Sequence, residues 1–177
     1  MSHEETEIGT YPLLTLKNVV VFPGTVKPLL FSSPHSLAAL RETATVGGKV
    51  FVVTMKTPDP EELTVESLHN VGTIGKMVKL QQLPNGAIQA LFEAQERGHL
   101  SDANFEGDFY QAEVRALESR ESADVELPQL VEALKSEFFR HLDLDENPAP
   151  FQWNLDLNTK NIPAGEFADA VADIVAP

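Results

Sequence analysis

Residues 11–31, with the sequence YPLLTLKNVVVFPGTVKPLLF, constrain the fold of this chain more than any other stretch. Residues 11–16 and 19–22 are mostly apolar, and the second run is β-branched and aromatic, a composition that favours strands. Pro23 and Gly24 predict a turn, because proline fixes φ and glycine tolerates positive φ. Residues 26–31 resume the extended pattern. Pro28 within them predicts an edge strand or a bulge, since proline donates no ladder hydrogen bond.

Short apolar runs separated by turn residues continue to residue 117. The nearly continuous apolar run at 50–55 predicts a buried central strand. Residues 71–83 and 87–94 flank Pro84-Asn85-Gly86, and Asn-Gly between two such runs is a strong hairpin signal. Residues 98–104 and 109–117 are interpreted as two more strands. At least six strands joined mostly by short turns predict a closed or nearly closed barrel.

Three helices are predicted from capping and spacing. Ser33 and Pro34 suit the N-cap and first turn of a helix that Gly47 and Gly48 would end. Residues 65–68 could form one short helical turn within a polar loop. Beyond residue 118, apolar side chains recur at helical spacing over residues 127–142 and again over 163–175. A short segment, 151–157, lies between these two helices.

The charge and the cysteine count exclude several functions. The net charge is −14 and there is no cysteine. We expect no nucleic-acid partner and no membrane partner, because both surfaces attract clustered Lys and Arg. Disulfides, thiolate metal sites and a cysteine nucleophile are excluded. The first ten residues do not resemble a signal peptide, and no apolar run reaches membrane-spanning length, so the expected location is cytoplasmic.

A change in composition near Glu118 predicts a domain boundary. Residues 118–177 carry nearly as many acids as the first 117 residues but fewer than half as many Lys and Arg. We therefore expect a disordered N-terminus at 1–10, a β-barrel at 11–118 and a helical subdomain at 119–177 that is truncated inside a bundle.

Limited proteolysis tests this division. We expect the first cuts before Tyr11 and between Glu118 and Ala123, because those segments are polar and aperiodic. Mass spectrometry of the earliest fragments identifies the cut sites. First cuts within residues 50–55 or 87–94 would contradict the strand assignments.

No catalytic or metal-binding motif is complete in the sequence. Gly48-Lys49 lacks the preceding glycine and the following hydroxyl of a phosphate-binding loop, and no serine lies in a nucleophile motif. The segment beginning at His3 lacks the second histidine of a zinc-protease helix. Residues 143–147 begin like a calcium loop but have Pro148 where the loop needs glycine. We therefore expect no catalytic residue, no metal ligand and no cofactor in this chain.

The candidate site is apolar. Residues near the kink and near the hairpin are apolar although loops run over the surface, which indicates an interaction surface. The alternative is that they pack against each other or against the barrel rim. The candidate binding residues are Phe22, Pro23, Val26, Pro28, Leu80, Leu83 and Pro84.

An ordered set of motifs resembles the N-terminal domain of Lon proteases. The set consists of PLLTLKNVVVFPGTVKPL at 12–29, VFVVTMK at 50–56, VGT at 71–73, LPNG at 83–86 and LFEAQERG at 91–98. Ala94 and Gln95 depart from the family pattern in the last of these. Residues 161–175 resemble a family helix. The resemblance covers nearly the whole chain from Tyr11.

The resemblance implies a mainly β fold with helices (α+β): a PUA-like β-barrel of about six strands with one inserted helix, followed by a short helical segment that begins a bundle. It implies a non-catalytic domain that captures unfolded or damaged proteins for an ATP-dependent Lon-type protease. ATP, magnesium and the Ser-Lys dyad would belong to absent domains of the parent. The implied partners are protein substrates, the remaining Lon domains and neighbouring subunits.

Three alternatives remain open from the sequence. The chain could be a freestanding Lon-domain adaptor, which continuation of the reading frame into a phosphate-binding loop would exclude. It could be a small-ligand-binding module like the ligand domain of cereblon, although that family's zinc site uses cysteines, which are absent here. RNA binding, common among PUA-like folds, is opposed by the acidic charge.

Overall fold

A computed structural model describes residues 8–57, 60, 63–118, 126–144 and 164–175. Two compact units are present, Met1–Glu118 and Ser119–Pro177. The first unit contains the strands β1 (Ile8–Leu16), β2 (Val26–Phe31), β3 (Lys49–Thr54), β4 (Val71–Gln82), β5 (Ile88–Glu106) and β6 (Phe109–Leu117), helix α1 (Pro34–Val46) and a 3₁₀ turn at Val65–Ser67. The second contains α2 (Leu127–Leu144) and α3 (Ala164–Val175).

Five strands of the first unit form a closed ring. The sheet order is β2-β5-β4-β3-β1-β6, and an additional β5–β6 pairing closes β5, β4, β3, β1 and β6 into the ring. Strands β1 and β3 are parallel, and all other pairs are antiparallel. The first half of β5, Ile88–Glu93, pairs with β2, and the second half, Arg97–Glu106, pairs with β6. Strand β5 therefore belongs to the ring and also holds β2 beside it. The expected barrel with one inserted helix is confirmed.

The ring encloses one hydrophobic core. Its members come from all five ring strands, and Phe51, Ile74 and Val114 are fully buried among them. Because side chains alternate along a strand, the neighbours of Phe51 point to the other face. There Val50 and Val52 join a second core formed with β2, the first half of β5 and α1. Strand β3 is therefore buried on both faces, as its continuous apolar run predicts.

Residues 19–22 are not a strand, which corrects the sequence-based assignment. The carbonyl groups of this segment accept hydrogen bonds from threonine hydroxyl groups instead of from the backbone of a neighbouring strand. The hydroxyl of Thr73 donates to the carbonyl of Val21 at 2.7 Å, and that of Thr25 donates to the carbonyl of Phe22 at 2.6 Å. Val21 is buried in the second core. These contacts fix a kink at 19–25 that leads the chain from β1 to β2.

Two further strand boundaries differ from the prediction. Strand β1 begins at Ile8, because residues 8–12 pair with β6, so residues 8–10 are ordered. Residues 1–7 lie outside the described part of the chain. The strands expected at 87–94 and 98–104 are one strand, β5, which stays paired with β4 as far as His99. The polar residues between them include no turn former, so nothing interrupts the extended backbone.

The predicted turn and helix ends are confirmed. The N–H of Gly86 donates to the carbonyl of Leu83 at 3.0 Å, and Gly86 has φ +87°, which glycine adopts without strain. Helix α1 starts at Pro34 and ends where the N–H of Gly47 donates to the carbonyl of Thr43.

Replacing Ser36 of α1 with alanine is expected to stabilise the protein by about 1 kcal/mol. Ser36 is fully buried, and its hydroxyl has no hydrogen-bond partner among the described residues. Alanine removes this unsatisfied group and is the better helix former. Urea unfolding followed by circular dichroism measures the difference. In the control, Thr43→Val, a hydroxyl that donates to Ala39 at 2.8 Å is lost, so a stability gain there too would contradict the explanation.

The described residues of the second unit form two helices in contact. Phe167 of α3 is almost fully buried, and the ammonium group of Lys135 on α2 lies 5.7 Å from the centre of its ring. The segment 151–157 and residues 145–147 of the calcium-like stretch lie outside the described residues. Neither α2 nor α3, nor α1 in the first unit, is long and apolar enough to cross a membrane.

Candidate apolar binding site

Strand β2 is an edge strand of the described sheet. Among the described strands, only β5 pairs with it. The N–H of Ala94 donates to the carbonyl of Thr25 at 2.9 Å, so the carbonyl group of Thr25 points toward β5. Backbone direction alternates along a strand, so the groups of Val26, Pro28 and Leu30 point away from it. Pro28, which lacks an N–H, therefore occupies a position where β5 needs no donor.

The side chains of Val26, Pro28 and Leu30 form one exposed apolar row, which we call the β2 row. They lie at every second position and hence on one face of the sheet. Val26 is 55% exposed and Leu30 is 60% exposed, whereas Leu29 and Phe31 between and beside them are buried in the second core. The row spans about 14 Å, the length of four residue steps in a strand.

The neighbouring strands extend this face with mixed side chains. Opposite Pro28 lies Leu91, which is half-buried, and opposite Val26 and Leu30 lie Glu93 and Gln89, which are exposed. The next strand adds Val78, which is 58% exposed at a register shift between Met77 and Lys79. The apolar surface is therefore narrow and bordered by polar groups, a pattern typical of an interaction site.

A groove of about 750 Å³ lies along β2. Lys27–Phe31 form one wall, and the ends of β1 and β3 with Leu63 form the other. Leu16, Val19 and Met55 contribute apolar surface, while Lys17 and Lys27 contribute two cations. None of the described residues that line the groove is acidic, although the protein is strongly acidic.

His35 is half-buried in the lining of this groove. Burial lowers the pKa of its imidazole below the usual value of 6.5. Its Nε2 atom lies 3.3 Å from the hydroxyl of Ser33, and its ring lies perpendicular to that of Tyr110, with 5.4 Å between the ring centres. A lowered pKa keeps the imidazole uncharged at neutral pH, so it contributes a neutral ring to the rim.

The structure separates the sequence-predicted site residues into three groups. Val26 and Pro28 are exposed in the β2 row. Phe22 and Pro23 lie half-buried in the kink before β2. Leu83 and Pro84 lie at the tip of the β4–β5 hairpin, beyond the register pair Phe31 and Ile88, whereas Leu80 pairs with Ala90 within β4, level with Leu29 of β2. The kink and the hairpin tip lie at opposite ends of the β2–β5 pairing, about 20 Å apart by strand rise.

Two exposed residues of this face were missed from sequence. Leu30 follows Leu29 directly, so composition alone did not reveal which of these two leucines points into the core. The alternation of side chains from Val26 onward was the signal that could have identified Leu30 as the exposed one. Val78 is exposed because the register shifts beside it. A bulge of this kind leaves no mark in a single sequence.

Comparisons with known proteins agree with the fold. The family model for the ATP-dependent protease La (LON) substrate-binding domain matches residues 10–176. Lon protease of Rhizobium meliloti is 30% identical over 82% of this chain, which covers 18% of that protein. Lon protease of Azospirillum brasilense is 29% identical over 94% of this chain and 20% of its own length. The chain thus spans about a fifth of these relatives.

Two solved structures share the fold. The Lon N-terminal domain protein of Xanthomonas campestris superposes with a TM-score of 0.56 at 17% identity, covering 75% of each chain. The N-terminal domain of Mycobacterium avium complex Lon protease gives a TM-score of 0.54 at 17% identity, covering 93% of this chain and 97% of that one.

Proposed function

We propose that this chain, which belongs to the Lon substrate-binding domain family, is a non-catalytic recognition domain of an ATP-dependent Lon-type protease. In this role it captures unfolded or damaged proteins in the cytoplasm through exposed apolar surface. Its partners are those proteins, the remaining Lon domains and neighbouring subunits. The β2 row is the single observation that supports this capture most directly.

Apolar capture distinguishes unfolded from folded proteins by a simple physical rule. An unfolded chain exposes side chains that a folded protein buries, and moving them from water to an apolar surface gains about 25 cal/mol per Å². A narrow row bordered by charged and polar groups holds such segments weakly. Several copies in an oligomer would raise the effective concentration and compensate for weak single contacts.

The kink and the hairpin tip would extend the same surface. Phe22 and Pro23 lie beyond one end of the β2 row, and Leu83 and Pro84 lie beyond the other, with Leu80 on β4 level with Leu29. A flexible substrate that contacts the row could reach either group. A small-ligand-binding module would instead be expected to contain a deep pocket lined by aromatic side chains. The described lining of the groove is mainly aliphatic, with Phe31 as its one phenylalanine.

Changing Val26 and Leu30 together to serine should weaken the binding of an unfolded protein about 25-fold, if each contact contributes roughly 1 kcal/mol. Both side chains point away from the core, so the fold should persist. The probe is a fluorescently labelled protein kept unfolded by carboxymethylation of its cysteines, titrated by anisotropy. Circular dichroism checks the fold.

A matched variant controls for the general loss of apolar surface. Val46 and Leu130 are 73% and 63% exposed and lie outside the β2 row. Changing both to serine should leave the affinity unchanged. Equal affinity of the wild-type protein and a folded β2-row variant would remove this row from the binding site. If the unfolded probe failed to bind the wild-type protein at all, the recognition function itself would be contradicted.

A further inference from the structure

We infer that Thr73 and Thr54 are positioning residues of the binding surface, because their hydroxyl groups hold the kink at 19–25 in the form that presents its apolar side chains. This inference rests on the proposed function, in which Phe22 and Pro23 of the kink extend the β2 row. It assigns a role in substrate binding to Thr73 although that residue is buried and out of reach of a substrate.

The kink is attached to the ring by side chains and not by a ladder. None of the described strands pairs with residues 19–22. Instead, two alternate carbonyl groups of this segment accept hydrogen bonds from threonines of the ring. The hydroxyl of Thr73 on β4 donates to the carbonyl of Val21, which lies 52 residues earlier in the chain. The hydroxyl of Thr54 at the end of β3 donates to the carbonyl of Val19.

Both donors are themselves held in place by the ring. Thr73 pairs with Val52 of β3 on one side and with Arg97 of β5 on the other, so its backbone cannot shift without disturbing two ladders. Thr54 pairs with Leu16 of β1. Threonine is branched at Cβ, which restricts rotation about χ1 and thereby limits the directions in which its hydroxyl group can point. The ring therefore sets the position of the carbonyl groups that these hydroxyl groups bind.

The position of these carbonyl groups determines which side chains of the kink face solvent. Val21 is buried in the second core at 7% exposure, whereas Val20 beside it is 52% exposed. Phe22 is half-buried, and its own carbonyl accepts a hydrogen bond from Thr25. A carbonyl group that loses its donor inside the protein needs another partner. A rotation of the backbone that supplied one would also move the neighbouring apolar side chains.

The alternative is that Thr73 only stabilises the fold, since any buried hydrogen bond contributes to stability. A purely structural role lowers stability and leaves the affinity of the folded protein unchanged, whereas a positioning role lowers both. Thr43 of α1 provides the matched comparison. Its hydroxyl is also buried, but it donates to the carbonyl of Ala39 within its own helix, at 2.8 Å.

Thr73→Val tests the positioning role, because valine keeps the shape of threonine and lacks the donor. We expect it to weaken binding of the carboxymethylated, unfolded probe about fivefold in an anisotropy titration. Thr73→Ser, which keeps a hydroxyl group, should bind within about twofold of the wild-type protein. Thr43→Val should be destabilised to urea by a similar amount yet bind as tightly as the wild-type protein. Unchanged affinity of folded Thr73→Val, or an equal loss in Thr43→Val, would overturn the inference.

A double-mutant cycle identifies the residue through which Thr73 acts. Phe22→Ala removes the candidate binding side chain next to Val21 and should also weaken binding of the probe. Adding Thr73→Val to Phe22→Ala should then lower the affinity much less than Thr73→Val does alone, because the side chain that it positions is already absent. Two losses that simply multiply would contradict a role of Thr73 in positioning Phe22.

Thr54→Val keeps the test independent of how well the Thr73 variants fold. Thr54 is half-buried at the end of β3, so its replacement should disturb the fold less. The N–H of Gly24 donates to the carbonyl of Ala94 at 2.9 Å, and its hydrogen exchange, followed by NMR, reports whether the kink stays in place. We expect faster exchange at Gly24 and severalfold weaker probe binding in Thr54→Val, and neither in Thr43→Val. Wild-type affinity of folded Thr54→Val would contradict the inference while the proposed function survived. Failure of the probe to bind the wild-type protein would instead contradict the proposed function itself.

Discussion

Replacing Phe51 with alanine is expected to lower the free energy of unfolding by about 3–5 kcal/mol, a large share of the roughly 5–15 kcal/mol of a typical domain. Phe51 is fully buried at the centre of the ring. A Cβ atom placed on Gly72 would lie 2.5 Å from Cζ of Phe51, so the phenyl ring of Phe51 packs directly on that glycine. Alanine would leave a cavity that neighbouring strands, held by their ladders, could fill only in part.

The effect of Phe51→Ala is measured from urea unfolding followed by far-ultraviolet circular dichroism. Phe105→Ala is the matched control, because Phe105 is 57% exposed and its ring contacts Tyr110 only at the surface. The control should lose about 1 kcal/mol or less. If the two variants unfold at the same urea concentration, the side chain of Phe51 does not stabilise the core inside the ring of strands.

Replacing Gly75 with alanine is expected to destabilise the protein by about 3 kcal/mol. A Cβ atom there would lie 2.1 Å from the carbonyl oxygen of Glu93 and 2.7 Å from the ring of Phe92. The backbone of β5 cannot move aside without breaking its pairing with β4. Gly75 has no positive φ, so the smaller entropy of the unfolded alanine chain would by itself stabilise the protein. A net loss therefore measures the steric contact.

Gly107→Ala separates this contact from backbone strain. Gly107 has φ +70° and no atom within 4 Å of an added Cβ, so only the left-handed conformation is penalised, by about 1–2 kcal/mol. Midpoints of urea unfolding compare both variants with the parent chain. Should Gly75→Ala prove as stable as the parent, β4 and β5 cannot be as closely packed as described.

The fold was largely predictable because its local signals agree with one another. The continuous apolar run at 50–55, the Asn-Gly turn and the proline and glycines around α1 each specify an element that the structure contains. Pro28 correctly predicted an edge strand. The partners of the strands were not predictable in this way, because the parallel pairing of β1 with β3 depends on residues far apart in the chain.

The errors have physical causes. Residues 19–22 have strand composition, but hydroxyl groups supplied by distant residues such as Thr73 hold their carbonyl groups in a kink. The exposure of the candidate site residues was predicted in part. Val26 and Pro28 are exposed as expected, whereas exposure of Leu30 and Val78 depends on which face another element covers. That information resides in tertiary contacts, not in local pattern.

The pairing of β1 with β6 also affects the order of folding. The first strand of the ring meets its last, so the ring cannot close until the ribosome has released residues up to Leu117. Until then, β1 and the second half of β5 each have an edge without its final partner. Such edges are sites of intermolecular pairing, and contacts between distant residues form slowly. During synthesis, this domain therefore passes through a state that, like a misfolded protein, can pair with other chains through an exposed strand edge.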